Sequence, residues 1–261
     1  MGRDLVLAAA RCLAFEDMPD APLGPGEVRV RTLYSGISAG TELTQYRGTN
    51  PFMDRRFDET RRLFVPGETP SWTYPVRTLG YEEVGEVVEM GPGAEDIALG
   101  SQVFGTWNHR SHAVIPADTA RQRAMPPGAD PRIGIFSHIG AVALNGVHDA
   151  QIRLGDTVAV FGLGVPGQIV VQAARASGAR VIAVDPDPAR RAMAQQLGAD
   201  QVLAPAAAEA IKDMTGGRGA DICIEASGAA PALSDAIRAV AYASRVVAMG
   251  FYQGEVAGLR L

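Results

Sequence analysis

Residues 157–167 read Thr-Val-Ala-Val-Phe-Gly-Leu-Gly-Val-Pro-Gly. The apolar, β-branched run 157–161 predicts a buried strand, and the glycines that follow it at G-x-G-x-x-G spacing predict a tight turn. An Ala-rich segment then predicts a helix over 167–177 that ends at Gly178. The stretch therefore predicts a strand, a turn made mostly of backbone, and a helix.

Strands and helices alternate from this point to residue 249. Strands are predicted over 180–184, 221–225 and 245–249, and helices over 188–197 and 231–243. Strands separated by helices of this length are typical of βαβ units and a parallel sheet. The predicted fold class is therefore α/β, with a doubly wound parallel sheet of the Rossmann type.

An acidic residue completes the pattern around the glycines. Asp185 follows the strand 180–184, about 20 residues beyond the last glycine, as in dinucleotide-binding βαβ units. Phosphates bind at the start of the helix, where free N–H groups and the helix dipole favour anions. The predicted cofactor-binding residues of this turn are Gly162, Leu163, Gly164, Val165, Pro166 and Gly167.

Asp185 favours NAD over NADP. Its carboxylate can accept hydrogen bonds from both ribose hydroxyls of the adenosine, and its charge would repel a 2′-phosphate. Arg190 favours NADP instead, because a guanidinium can neutralise the 2′-phosphate. The alternative interpretation is a glycine-rich turn followed by an ordinary capping Asp, with no ligand.

The N-terminal half has a different pattern of apolar and turn residues. Short β-like runs over 27–33, 86–89 and 101–104 are separated by turn residues such as Gly91-Pro92-Gly93. This pattern is typical of an antiparallel, barrel-like β domain. We therefore predict two domains, a β domain over 1–122 and a nucleotide-binding domain over 123–261.

Composition excludes several classes of function. The chain has 24 Lys and Arg against 29 Asp and Glu, a formal charge of −5, which argues against nucleic acid or an anionic membrane as the main partner. Its two cysteines, Cys12 and Cys223, exclude a disulfide scaffold and a four-cysteine zinc site. The apolar run 5–10 is too short for a secretion signal, so the expected location is the cytoplasm.

Several motifs together resemble a known family. They are Tyr34-Ser-Gly-Ile-Ser-Ala-Gly-Thr-Glu42, Gly80-Tyr-Glu-Glu-Val-Gly-Glu-Val-Val-Glu89, Leu99-Gly-Ser-Gln-Val-Phe-Gly105, the glycine turn and Ala226-Ser-Gly228. In order and spacing they are similar to the medium-chain dehydrogenase/reductase family of zinc-type alcohol dehydrogenase-like proteins. The first two are similar in detail to the subgroup that includes bacteriochlorophyllide a dehydrogenase.

The resemblance implies an N-terminal GroES-like β-barrel catalytic domain, a Rossmann domain, an active site between them and a homodimer. It adds Ala226, Ser227, Gly250 and Phe251 to the predicted cofactor site. Beyond Phe251 it implies a dimer-edge strand over 256–261 and then a return segment to the catalytic domain, which this sequence does not contain.

The sequence departs from the family at the zinc ligands. Ser38-Ala39 stands where the first catalytic cysteine is expected, Gly80-Tyr81-Glu82 replaces Gly-His-Glu, and Ser137-His138 lies near the third position. Imidazole and carboxylate are possible zinc ligands, but the hydroxyls of Ser and Tyr are poor ones. We therefore expect a site without catalytic zinc.

Four residues are predicted to act on the substrate. Thr41 matches the family's hydroxyl residue that binds the substrate oxygen, and Tyr81 could donate to the carbonyl oxygen. His138 could take the proton onward, and Glu82 resembles the family's carboxylate that holds its partners in place. The alternatives are a turn or cap for Thr41 and simple core packing for Tyr81 and His138. We interpret the remaining histidines, His109, His112 and His148, as structural.

The segment between Thr41 and Gly80 is an insert relative to the family. It carries arginines among aromatic residues: Arg47, Arg55, Arg56, Arg61 and Arg62. One interpretation is a solvated helix face balanced by Asp54, Asp58 and Glu59. The other is a lid that pairs with a carboxylate or phosphate on a bulky, anionic substrate.

The sequence as a whole predicts an NAD(H)-dependent oxidoreductase. It would interconvert a secondary alcohol and a ketone by hydride transfer, without catalytic zinc. The alternatives are an NADPH-dependent quinone or enoyl reductase of the same family, and a protein that binds a nicotinamide nucleotide without catalysis.

Overall fold

The computed structural model describes residues 2–65 and 69–252. These residues form two compact units, and the chain passes from the first to the second between His138 and Ile139. Residues 123–138 belong to the first unit, where the 3₁₀ turn Pro131–Phe136 packs on the sheet. The division thus falls later in the chain than the boundary we placed after residue 122, which stays a prediction.

The first unit contains a four-stranded antiparallel sheet and two separate hairpins. The sheet has the order β7-β6-β3-β8, and the hairpins pair β1 with β2 and β4 with β5. Its elements are β1 (Gly2–Ala9), β2 (Cys12–Met18), β3 (Glu27–Ser35), α1 (Glu42–Arg47), a 3₁₀ turn (Pro51–Met53), β4 (Arg56–Asp58), β5 (Leu63–Val65), β6 (Glu83–Met90), β7 (Gln102–Gly105), β8 (His112–Pro116) and α2 (Ala117–Gln122).

The residues of β3 alternate between a buried face and a more polar face of this sheet. Val28 and Val30 are fully buried in the core of the unit, whereas Arg29 lies on the opposite face and pairs with Glu89 of β6 at 2.6 Å. A period of two is what a strand with one buried face requires. The predicted strand over 86–89 is the end of β6, which starts three positions earlier and so includes Glu83.

Apart from α1, which carries the exposed Arg47, the described part of the insert between Thr41 and Gly80 does not form a solvated helix. Its β4–β5 hairpin and 3₁₀ turn enclose an aromatic cluster in which Phe52 stacks on Trp72, with ring centroids 4.4 Å apart. Phe57 and Phe64 both pack on the Phe52 ring. Asp58 lies 3.9 Å from both Arg56 and Arg61. The role of a lid stays a prediction.

The second unit contains a five-stranded parallel sheet. The strand order is β11-β10-β9-β12-β13, the doubly wound order in which the first strand lies in the middle. Its elements are α3 (Ser137–Ala150, which starts in the first unit), β9 (Thr157–Phe161), α4 (Val165–Ala176), β10 (Arg180–Val184), α5 (Pro188–Gln196), β11 (Gln201–Leu203), α6 (Ala208–Met214), β12 (Ala220–Glu225), α7 (Ala230–Ala239) and β13 (Val240–Ala248).

Each face of this sheet is covered by its own core. Val158 and Val160 of β9 pack with α3 and α4, whereas Ala159 and Phe161 pack with α6 and α7. Burial on both faces explains why the strand reads as a continuous apolar run rather than an alternating one. The predicted α/β fold class, with its parallel sheet and doubly wound order, is confirmed.

One predicted helix was too long. We expected a helix over 231–243, but α7 ends at Ala239 and Val240 already pairs with Ala220 of β12. Val240 has extended backbone, and its carbonyl accepts a hydrogen bond from Lys212 at 2.8 Å. Pairing with the sheet therefore outweighs the helix propensity of the alanines that follow.

Among the helices described, none is both long enough and apolar enough to cross a membrane. The edge strand predicted over 256–261 lies outside the described residues.

Candidate active site and cofactor site

The glycines after β9 differ in the space around them. Gly162 has a φ of +90°, and a Cβ there would lie 2.6 Å from Cβ of Ser227. A Cβ at Gly167 would lie 1.9 Å from the carbonyl oxygen of Gly162, whereas at Gly164 the nearest atom would be 3.9 Å away. Gly162 and Gly167 are thus required by the protein's own packing, and the free space beside Gly164 suits a ligand that approaches the backbone.

Helix α4 begins directly after this turn. Its N-cap is Gly164, which provides no side-chain acceptor for the first amides of the helix. The next residues, Val165 and Pro166, form the first turn. Uncapped amides at a helix N-terminus can hydrogen-bond the oxygens of a phosphate, which the helix dipole also favours.

Asp185 is tied to the same turn. Its side chain is 3% exposed, and its carboxylate accepts hydrogen bonds from the amides of Leu163 at 2.7 Å and Asp187 at 2.8 Å. One bond goes to each carboxylate oxygen, so each keeps a lone pair for a ribose hydroxyl. The Arg190 guanidinium lies 3.9 Å from the carboxylate and is about half exposed.

A cavity of about 720 Å³ lies at the carboxyl ends of β9, β10 and β12. Its lining includes Gly162, Asp185, Arg190 and Ser227, together with the first turn of α7. This volume is within the range of small-molecule sites, and the carboxyl edge of the sheet is where open α/β sheets bind their ligands. The cavity therefore fits the adenosine part of a dinucleotide.

The predicted residues at the ends of β12 and β13 also lie at this edge. Ala226 donates its amide to Phe161 at 2.8 Å, which joins the ends of β12 and β9. Gly250 packs so closely that a Cβ there would lie 2.2 Å from the amide nitrogen of Gly228. Phe251 follows with 41% of its surface exposed. Hence the residues predicted for the cofactor lie on one edge of one sheet.

In the first unit the structure brings together hydroxyl groups that are far apart in sequence. Burial raises the pKa of the Tyr81 phenol, while hydrogen bonds with the side chains of Ser38 and Thr41 lower it. Thr41 is the N-cap of α1 by position, but its side chain makes no capping hydrogen bond. The capping alternative for Thr41 therefore has no support in the geometry.

The other two predicted residues lie beside Tyr81. The His138 ring contacts the Tyr81 ring edge-on, with centroids 5.0 Å apart, and His138 is exposed rather than a core residue. Glu82 is buried, and its backbone carbonyl accepts a hydrogen bond from Gly36 at 2.7 Å. Thr41, Tyr81, Glu82 and His138 thus converge within one unit; their roles stay predictions.

Sequence reasoning missed a buried polar cluster that adjoins these residues. Glu42 lies 2.8 Å from Nε2 of His109 and accepts a hydrogen bond from the Ser38 amide at 2.5 Å. Glu83 accepts one from Ser35 at 3.2 Å, and its Oε2 is buried without a partner among the described residues. The one available signal was the pair of adjacent glutamates at the start of β6. Our interpretation of His109 as structural overlooked these contacts.

The remaining histidines lie away from this cluster. His112 pairs with Asp20 at 2.9 Å, and His148 is exposed on α3.

Crowded carboxylates shift the titration of this cluster. Burial, together with the charges of Glu42 and Glu83, raises the pKa of Glu82 to about 7, although His109 lowers it. Burial also raises the pKa of Glu83. Burial alone would lower the pKa of His109, but its hydrogen bond to Glu42 and the neighbouring carboxylates raise it above the usual value. Glu82 can therefore exchange a proton near neutral pH.

The groups around Tyr81 do not fit a catalytic zinc ion. The side chains at the expected ligand positions include the hydroxyls of Ser38 and Tyr81, and Glu42 is already held by His109 and the Ser38 amide. Within residues 2–65 and 69–252, no three His, Cys, Asp or Glu side chains are arranged to hold a metal ion. Among the described residues, the cluster consists mainly of hydroxyls and carboxylates; its His109 imidazole is bonded to Glu42, and its His138 ring lies against Tyr81.

Comparison with known families agrees with both units. The family model of the alcohol dehydrogenase GroES-like domain matches residues 24–149, and that of the zinc-binding dehydrogenase matches residues 166–260. The predicted GroES-like and Rossmann components are thereby confirmed.

Individual relatives are similar over most of the chain. D-guloside 3-dehydrogenase of Escherichia coli (strain K12) is 34% identical over 267 residues, which covers 99% of this chain and 76% of the relative. (R,R)-butanediol dehydrogenase of Bacillus subtilis (strain 168) is 28% identical, over 92% of this chain and 75% of the relative. A structure from Sinorhizobium meliloti 1021, described as a zinc-binding dehydrogenase bound to NADP, superposes with a TM-score of 0.77 and 25% identity, over 98% of this chain and 78% of that one.

These matches support an oxidoreductase of the alcohol dehydrogenase type. The chain belongs to the zinc-type alcohol dehydrogenase-like, medium-chain dehydrogenase/reductase family.

Proposed function

We propose that this protein is an NAD(H)-dependent oxidoreductase that interconverts a secondary alcohol and a ketone without catalytic zinc. The observation that carries the proposal is the convergence of Thr41, Tyr81 and the ionisable Glu82 within the first unit. These groups can bind a substrate oxygen and exchange its proton, which are the tasks that remain once hydride transfer is assigned to a cofactor.

The names of the relatives narrow the substrate class. One relative is named for oxidation at position 3 of a guloside and another for butanediol, and both names denote secondary alcohols. We therefore propose a polyol or glycoside substrate with a secondary hydroxyl. A homodimer, a cytoplasmic location and an anionic group on the substrate stay predictions from the sequence.

Each residue of the first unit has a task in alcohol oxidation. The Thr41 hydroxyl binds the substrate oxygen, and the proton that this oxygen loses passes through the hydroxyls of Thr41, Ser38 and Tyr81 to ionised Glu82. Glu82 then returns the proton through the same hydroxyls to His138, which is exposed beside Tyr81 and releases it to solvent. In ketone reduction Tyr81 donates to the developing oxyanion instead, and its raised pKa keeps it protonated. A bound nicotinamide cofactor supplies the acceptor or donor of the hydride.

The choice of NAD rests on Asp185. Its buried carboxylate is held in position by the Leu163 amide of the glycine turn and by the Asp187 amide before α5, and it lines the cavity. A 2′-phosphate beside it would meet a fixed negative charge. Arg190 is close enough to offset part of that charge, which makes the preference open to direct measurement.

Asp185→Asn should weaken NAD(H) binding about 10-fold and reduce the preference over NADP(H), because a charge-assisted hydrogen bond is lost. Fluorescence titration with NADH and NADPH measures both effects. Asp187→Asn is the matched control, since Asp187 is exposed and caps α5 through the Ala189 amide. Equal effects of the two substitutions would mean that net charge, not a ribose contact, sets the preference.

Tyr81→Phe and Thr41→Val should each lower kcat by about 10²-fold, because each removes a hydroxyl that handles the reacting proton. Steady-state kinetics with a panel of secondary alcohols and polyols provides the measurement. Tyr34→Phe is the control, since Tyr34 is a half-exposed tyrosine of β3. Rates close to the wild type would assign Tyr81 and Thr41 to packing only.

Alcohol oxidation should rise with pH, reach half of its maximum at a pH of about 7 and level off above it, since Glu82 accepts a proton only when ionised. Glu82→Gln should abolish this rise. A rise in rate that persists in the variant would exclude Glu82 as the base.

The raised pKa also means that the folded state favours protonated Glu82. The contribution of Glu82 to stability therefore declines as the pH rises from the ordinary carboxyl pKa to about 7. Thermal unfolding at pH 8 should show Glu82→Gln to be more stable than the wild type.

Zinc should not be required for turnover. Protein purified without a metal-binding tag should contain much less than stoichiometric zinc by elemental analysis, and a strong zinc chelator should leave the rate unchanged. Stoichiometric zinc whose removal abolishes activity would disprove this part of the proposal.

A further inference from the structure

His109 occupies a fixed place between several elements of the first unit. It lies in the loop between β7 and β8, where its amide donates to Leu79 at 2.7 Å and its carbonyl accepts from Leu5 at 2.9 Å. Its side chain is 11% exposed. Both the main chain and the ring are therefore held, so the ring can act as a rigid support for its neighbours.

Both ring nitrogens of His109 are engaged. Nε2 lies 2.8 Å from Oε1 of Glu42 on α1. Nδ1 hydrogen-bonds Oγ of Ser35 and lies 3.8 Å from Oε1 of Glu83. Ser35 in turn donates to Glu83 at 3.2 Å. In its protonated form the imidazole can donate on both sides, to Glu42 and to Ser35.

Glu42 transmits this support to the hydroxyl groups. Its Oε2 accepts from the Ser38 amide at 2.5 Å, and its own amide donates to the Ser38 carbonyl at 2.9 Å. Residues 38–42 are thus closed into a turn that carries both Ser38 and Thr41. The His109–Glu42 pair is the side-chain link between this turn and the β7–β8 loop.

The backbone leaves room for the cluster at one glycine. Gly80 has a φ of +92°, and a Cβ there would lie 2.6 Å from Oε1 of Glu83 and 2.8 Å from Nδ1 of His109. A side chain at this position would collide with the ring and with the carboxylate. The close packing of His109 therefore depends on the residue that immediately precedes Tyr81.

We propose that His109 is a positioning residue for the reaction: by joining Glu42 to Ser35 and Glu83 it holds the turn 38–42, and with it the hydroxyls of Ser38 and Thr41, against Tyr81. This role rests on the alcohol–ketone activity proposed above. His109 is placed to act through Glu42 rather than on the substrate itself.

The charge of His109 gives the proposal a measurable signature. The titratable groups that face it are Glu42 from α1 and Glu82 and Glu83 from the start of β6. His109 lowers the pKa of Glu82, whereas Glu42 raises it. Removal of the imidazole should therefore move the titration of Glu82 to higher pH, and removal of the Glu42 charge should move it to lower pH.

The test compares the wild type with His109→Gln and Glu42→Gln. Both variants should lose about 10-fold or more in kcat, because the hydroxyls are no longer held in place, while NADH affinity is unchanged. The midpoint of the rise in rate with pH should shift upward in His109→Gln and downward in Glu42→Gln. His148→Gln, at an exposed histidine of α3, should match the wild type in all three measurements.

The outcomes separate the two proposals. A folded His109→Gln variant with wild-type kcat and an unchanged midpoint overturns the positioning role, and so does a shift of both variants in the same direction. If His109→Gln does not fold, Glu42→Gln tests the positioning role: a downward shift of the midpoint of its pH–rate profile supports the role, and an unchanged midpoint overturns it.

If the wild type turns over no alcohol, the proposed function fails. NMR titration of the His109 ring still tests the pair, because Glu42→Gln should lower the pKa of His109, and an unchanged value disproves the link.

Discussion

The carboxylate of Asp185 accepts hydrogen bonds from two backbone amides while almost no part of it reaches solvent. A buried carboxylate is costly unless donors surround it, so this group can stay charged only where the chain turns its amides towards it. The glycine turn after β9 supplies one of those amides through Leu163. The same interaction thus fixes the turn that would receive the phosphates and the charge that would select the ribose.

Two other buried carboxylates of the second unit, one on α7 and one at the end of β12, also accept hydrogen bonds from backbone amides. Asp235 accepts hydrogen bonds from the amides of Ala207 and Ala208, at 2.7 and 3.0 Å. Glu225, which is fully buried at the end of β12, accepts from the Ser227 amide at 2.7 Å. Asp235 satisfies the first amides of α6, and Glu225 satisfies amides of the loop that follows β12. Buried carboxylates therefore hold the helix start and the loop that lie beside this sheet.

In the first unit the buried carboxylates lie near a histidine side chain. Glu42, Glu82 and Glu83 share one imidazole, and burial together with the charges of Glu42 and Glu83 raises the pKa of Glu82 to about 7. In relatives with a zinc site, metal chemistry can polarise the substrate oxygen. In this chain, hydrogen bonds with the Ser38 and Thr41 side chains lower the pKa of Tyr81, and the buried carboxylate of Glu82 follows it in the chain. The departure from the family pattern at Ser38 and Tyr81 is thus accompanied by a local chemistry of its own.

The parts of the molecule that the sequence alone predicted are those that depend on local pattern. A continuous apolar run indicates a strand buried on both faces, and glycine spacing indicates a turn that no Cβ would permit, so β9, the turn, α4 and Asp185 could be located in advance. The family motifs also pointed to Thr41, Tyr81, Glu82 and His138. The end of α7 could not be predicted, since it depends on pairing of Val240 with another strand.

The cluster around His109 was decided by tertiary structure only. Glu42 and His109 are 67 residues apart in sequence, and no periodicity or spacing relates them. The approach of α1, β6 and the β7–β8 loop, together with the burial of their side chains, turns an ordinary histidine into the partner of three carboxylates. Local patterns report which backbone a segment prefers, whereas the pKa of a buried group depends on charges that only the folded chain brings within a few ångströms.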